Sequence, residues 1–207
     1  DIVITSTTTA NNSGTPLFTP TGTSSIINNS EIATALASAS VTIDTTGAGA
    51  EAGNISVMEP IAKTAGADAT LTLRAHGNIT VDVNGAISSS AAKLNVVFQA
   101  DQDNNTSGTV TVVQAIDTNG GNFTASGNVV NLNSTVTATG ALVWLYPNIT
   151  NAGMTIVGTK TGGFQLTTAE LNNVTASTLR IGDMNSGALA INAPINPTNV
   201  GTLSLRT

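Results

Sequence analysis

Cysteine is absent from the 207 residues, aromatic residues make up 3% and charged residues 9%. Each shortage excludes something. Without cysteine no disulfide holds the chain, which fits either a reducing compartment or a bacterial surface protein that does not rely on disulfides. Four Phe, one Trp and one Tyr are too few bulky side chains to fill a wide globular core, so a narrow core of Val, Ile, Leu and Ala is expected. Six Lys and Arg against twelve Asp and Glu leave a net charge of −6. That balance is the opposite of the clustered basic surface nucleic acid demands. No apolar run approaches the roughly 18 residues of a membrane span, so no membrane insertion is expected. No charged-then-apolar leader precedes the strand-like "DIVITS", so any export signal is expected to lie outside this sequence. Disorder is not expected either, because low hydrophobicity combined with high net charge is what keeps chains unfolded, and 40% of this chain is hydrophobic.

What the chain does contain is a recurring phrase. Gly53 opens "GNISVMEPIAKTAG", Gly77 "GNITVDVNGAISSS", Gly108 "GTVTVVQAIDTNGG", Gly127 "GNVVNLNSTVTATG" and Gly187 "GALAINAPINPTNVG". Each runs from Gly through aliphatics two apart to a further aliphatic before a polar turn. Shorter strand-like pieces lie between them, such as "ATLTLRAHG" and "KLNVVFQA". Period-two alternation predicts Leu71, Leu73, Ile79, Val81, Leu94, Val96, Val110 and Val112 inward, and Thr72, Thr80, Asn95 and Thr111 outward. The first openings stand 24, 31 and 19 residues apart, and several short strands repeating every 20 to 30 residues or so is the signature of a solenoid. Glycine at the openings is expected to supply positive φ at corners, and Thr and Asn are expected to stack in register on the outer faces.

The expected fold is therefore all-β: a right-handed parallel β-helix with short helical or loop insertions near 30–38 and 168–175. Ser30 or Thr168 is expected to N-cap the helical turns, with Glu31 or Glu170 near the positive end. Residues 1–28 read as a strand plus a loop-rich lead-in, and 29–207 as repeats, with a second module starting near 167. Two immunoglobulin-like sandwiches are the rival fold, and they would require antiparallel hairpins.

The segments 42–123 and 166–207, through "FQADQDNNTSG", "IDTNGGNF" and "LRIGDMNSG", resemble the repeats of filamentous-haemagglutinin-like bacterial exoproteins. These are long surface or secreted proteins, many exported by the two-partner route. The resemblance implies a β-helical rod, a secreted or cell-surface location and a role in adhesion, biofilm or filaments. It implies no catalytic residue and no cofactor.

Among candidate site residues, Asp101, Asp103 and Asn105 alternate as in calcium loops, yet Thr106 and Val112 stand where such a loop wants Gly and Glu. A polar turn is the favoured reading. His76, the one histidine, reads as a solvated strand residue. Trp144 and Tyr146 share a parity; core or end-capping packing is favoured, and an outward orientation would make them a sugar-stacking or partner-contact pair. A polysaccharide-cleaving enzyme would need converging carboxylates from among Asp82, Asp101, Asp103 and Asp117, with Arg74, Arg180 or Arg206 beside them. The leading expectation is a non-enzymatic adhesive rod, with a carbohydrate-binding module or a polysaccharide-cleaving enzyme as the alternatives. Neither "DIVITSTTT" nor "GTLSLRT" looks capped, so the partners expected at the ends are further copies, or further length, of the same protein.

Overall fold

The computed structural model describes residues 1–47 and 51–207. The first strands are β1 (Ile2–Thr5), β2 (Leu17–Phe18), β3 (Ser25–Asn28), β4 (Val41–Asp44), β5 (Ile55–Val57), β6 (Ile61–Lys63) and β7 (Ala69–Arg74). Then come β8 (Ile79–Val81), β9 (Ile87–Ser89), β10 (Leu94–Gln99), β11 (Thr109–Val112), β12 (Ile116–Asp117), β13 (Phe123–Ser126) and β14 (Val129–Leu132). The last are β15 (Val136–Tyr146), β16 (Met154–Val157), β17 (Phe164–Thr167), β18 (Val174–Ile181), β19 (Leu189–Ile191) and β20 (Val200–Leu205). Two short helices, α1 (Asn29–Leu36) and α2 (Thr168–Asn172), interrupt them.

All pairings between these strands are parallel, in sheets of six, eleven and three strands. This excludes the hairpin-built sandwiches. The six-stranded sheet runs β14-β11-β8-β5-β1-β3, a first row. The eleven-stranded sheet contains two rows, β6-β9-β12 and β2-β4-β7-β10-β13, which join at β15 and then β18. Strand β15 bends from the second row to the third where its register with β18 shifts between Ala138 and Leu142. Gly140, at φ +75°, turns that corner. From β5 to β14 the chain visits rows one, two and three in fixed cyclic order.

The physical cause of the stacking is a set of aliphatic columns. Ile2, Ile55, Ile79, Val110 and Val130 lie in register along row one, and all are fully buried. Row two stacks Ile61, Ile87, Ile116, Val136 and Val174. Burying each such side chain contributes about 1.5–3 kcal/mol, and the inward and outward sets predicted from alternation are placed as expected. All four Phe are buried, and the rings of Phe98 on β10 and Phe123 on the adjacent β13 meet edge to face at 5.5 Å.

Outside the core, asparagines join successive strands of the stack. Asn54 Oδ1 accepts from the Asn78 amide at 2.8 Å, and Asn78 Oδ1 accepts from the Thr109 amide at 2.8 Å. A second series runs from Asn95 to Asn122 to Leu142. Each bond satisfies a backbone donor, at a strand start for Asn78, Thr109 and Asn122 and just past the bend of β15 for Leu142.

The glycine openings behave differently from expectation. Gly53 has φ +74°, but Gly77 does not have positive φ; there a Cβ would sit 2.5 Å from Asn54 Oδ1, so close approach is what requires glycine. Gly127 is out of step: Thr109 pairs with Val129, which sets Asn128 opposite Gly108.

Residues 1–28 contribute β1, β2 and β3 to the same sheets, and β1 is an interior strand between β3 and β5. Ala10 bridges Ile26 antiparallel along the outer side of β3. Helix α1 packs on β3, β4, β6 and β7 and buries Ile32 and Leu36 in the core. This end of the stack is therefore covered by its own chain, contrary to the uncapped reading. The helix caps are also shifted: Asn28 and Thr167, not Ser30 and Thr168, occupy the N-cap positions. At the other end β19 and β20 are edge strands, with Ile191 and Leu205 53% and 39% exposed.

Candidate functional site

Inward Val143 and Leu145 push Trp144 and Tyr146 to the outer face of β15, where both are half-buried. They are not core residues, contrary to the favoured reading. Their ring centroids lie 4.6 Å apart at 35°. Arg180, the register partner of Trp144 on β18, places its guanidinium carbon 5.4 Å from the Trp144 ring. Trp144 Nε1 donates to the Gly182 carbonyl at 2.9 Å, which fixes the indole. The result is a rigid aromatic step with a cation beside it, in register with Thr124, Val97 and Thr72 on the preceding strands.

The 101–108 loop is a knot of turns. Asp101 is fully buried with φ 58°, and its carboxylate accepts from Asn148 Nδ2 at 2.8 Å. Asp103 accepts from Asn105 Nδ2 at 2.7 Å, and Asn105 Oδ1 accepts from the Ser107 amide at 3.0 Å. All three oxygen-bearing side chains thus have protein partners. Asp82 and Asp117 each accept from a nearby backbone amide, of Val83 and Asn119. Arg74 pairs with Asp44 at 3.1 Å. Among the described residues, no three His, Asp or Glu side chains gather where they could hold a metal. The half-buried His76 donates its backbone amide to Thr45 Oγ1 and lies beside Glu51 in a small cleft.

A polar cluster that the linear pattern does not reveal lies where row one ends. Among the described residues strand β14 has no hydrogen-bonded strand on its outer side, although β17 packs near it, and side chains meet its free backbone groups. Lys160 Nζ donates to the Val130 carbonyl at 2.7 Å, Glu170 Oε1 accepts from the Leu132 amide at 3.1 Å, and Asn173 Nδ2 donates to the Leu132 carbonyl at 2.7 Å. Lys160 Nζ also reaches Glu170 Oε1 at 2.6 Å and Asn131 Oδ1 at 2.9 Å. The Glu170 carboxylate closes a capping box with Thr167 at the start of α2. Burial pushes the Lys160 amine below the usual lysine range, against the opposing pull of Glu170. The cluster lines a cleft of about 350 Å³.

Lys63 is also buried, its ammonium donating to the carbonyls of Ala65 and Gly66. It shares the inward parity of Ile61, the one signal that places it inside.

Comparison with known protein families, curated proteins and solved structures returns no match.

Proposed function

We propose that the chain is a coiled segment of a right-handed parallel β-helix, serving as a structural and adhesive rod of a secreted or cell-surface bacterial protein of the filamentous-haemagglutinin-like kind. The observation that carries this reading is the cyclic order in which the chain visits three parallel rows around unbroken aliphatic columns. A chain built this way gains length by adding turns at roughly 4.8 Å each, and its faces are lined by Thr, Asn and Ser. Further coils of the same fold, from the same protein or another copy, are the natural partners of the edge strands β19 and β20. The adhesive part of the proposal is tested with beads coated with folded chain and applied to bacterial and host-cell surfaces. Retention above that of beads carrying heat-unfolded chain is expected; equal retention would overturn it.

A second reading, a carbohydrate-binding face, is favoured by one observation: Trp144 and Tyr146 point outward as a stacked pair beside Arg180. Aromatic faces of this kind suit the apolar side of a sugar ring, with the guanidinium as donor. A glycan array probed with the chain and with Trp144→Ala separates the readings, since binding lost in the variant favours the module and no binding by either favours the rod.

A further inference from the structure

We propose that Lys160 and Asn131 become joined by an intramolecular amide bond, with Glu170 as the proton-transferring group. The three side chains come from separate places: Asn131 on β14 at the end of the six-stranded sheet, Lys160 in the connection between β16 and β17, and Glu170 on α2. The fold converges them on one amine. Lys160 Nζ lies 2.9 Å from Asn131 Oδ1, so the carbonyl carbon is one C=O bond, about 1.23 Å, beyond that contact. The amine therefore lies within about 4 Å of the amide carbon, and a rotation of the side-chain amide would bring the two to the roughly 3–3.5 Å of a near-attack geometry.

The surroundings favour the chemistry. An amine attacks only when it has lost a proton, and burial already biases Lys160 towards its neutral form. Glu170 Oε1, 2.6 Å from Nζ, is placed to take that proton, and Glu170 is itself only 7% exposed. Three amide and hydroxyl donors, from Leu132, Thr167 N and Thr167 Oγ1, fix the carboxylate in place. Asn131 Nδ2, the leaving nitrogen, donates no hydrogen bond among the described residues, so no protein contact has to break for it to depart.

The step balances without an oxidant or a further reactant. Glu170 accepts one proton from the Lys160 ammonium, and the Nζ–Cγ bond forms. A second Nζ proton passes through the carboxylate to Nδ2 as the Cγ–Nδ2 bond breaks. The nitrogen leaves as ammonium, carrying both protons, and Glu170 returns to its carboxylate form. The new bond ties the end of the six-stranded sheet to the three-stranded sheet that follows it, across 29 residues of chain.

The test is the intact mass of the folded chain. It is expected about 17 Da below the sequence mass, the loss of one ammonia, with a branched peptide joining Lys160 to Asn131 in tandem spectra and no tryptic cleavage after Lys160. Lys160→Arg and Asn131→Ala are expected to regain full mass for their sequences. Asn131 Oδ1 serves no backbone group, so Asn131→Ala should fold even where Glu170→Gln does not. Full sequence mass in the wild-type chain, with ordinary cleavage after Lys160, would overturn the proposal. So would a mass loss that persists in Asn131→Ala, which would place it at another asparagine.

Discussion

Val81 sits between Val57 and Val112 in a fully buried column, and its fate under substitution follows from that position. Aspartate there would place an unpaired carboxylate among aliphatics. Val81→Asp is expected to cost about 3–5 kcal/mol, whereas Val81→Ile, which adds one methylene to a filled column, should cost about 1–3 kcal/mol; urea midpoints measure both. Asp101 is a different kind of buried residue. It holds a left-handed backbone conformation and receives the Asn148 amide, so Asp101→Ala should lose about 1–3 kcal/mol, while the exposed Asp103→Ala should be nearly silent. Neither result should depend on calcium. A melting temperature of the wild-type chain that rises with added calcium and falls with chelator would instead make Asp101 and Asp103 ligands. At this scale the alternation was legible wherever inward residues are aliphatic. It failed to flag Lys63, because a charged residue in an inward position reads as a break in the pattern, although its ammonium finds carbonyls at the next corner. Gly77 was recognised as obligatory for the wrong cause: an asparagine side chain from the neighbouring strand is not visible along the chain.

The helices and sheet ends depend on contacts of that same long-range kind. Both helices lie where acidic residues follow an Asn, Ser or Thr cluster, so their existence was readable. Their first residues were not, because Asn28 and Thr167 close the preceding strands and cap the following helices at once. Thr167 and Glu170 are joined by reciprocal hydrogen bonds, the Thr167 amide and hydroxyl donating to the Glu170 carboxylate and the Glu170 amide donating back to Thr167 Oγ1. Thr167→Ala is therefore expected to cost about 1 kcal/mol or more, read as a lowered thermal midpoint. The sealing of β14 was illegible altogether, since Lys160, Glu170 and Asn173 are spread over loop and helix and only the fold brings them to one strand edge. An exposed edge invites pairing with another chain, and these side chains meet its carbonyls and amide instead. Asn173→Ala removes the donor to Leu132 and is expected to cost about 1 kcal/mol, without changing the stacking of the first rows, which amide exchange at Ile79 and Val110 would report.

Over the whole molecule, the two ends of the stack differ. At the first end, α1 covers the core with Ile32 and Leu36 and the 10–12 segment lies along β3, which leaves only the two-residue β2 as an edge strand for another copy to meet. At the other end β20 pairs only with β18, and Leu203, Val200 and Ile195 are only partly covered. Together with exposed Ile191 and Leu205 they form an apolar, hydrogen-bond-ready surface of the sort that seeks a partner. This asymmetry changes what self-association can look like. If both ends were open, copies would join head to tail and grow into fibres; with one end covered, two copies can meet only through the same surface, and the contact closes on itself. The expected outcome for the chain in isolation is thus a concentration-dependent dimer joined at β20, not a filament. Light scattering should show the mass doubling and then levelling off, and Leu205→Lys with Ile191→Lys should hold the chain monomeric by placing like charges in the contact. Continued growth to fibres would mean that α1 or the 6–24 segment can be displaced from the first end, and a variant with Leu36→Asp, which weakens the hold of α1, would then grow faster.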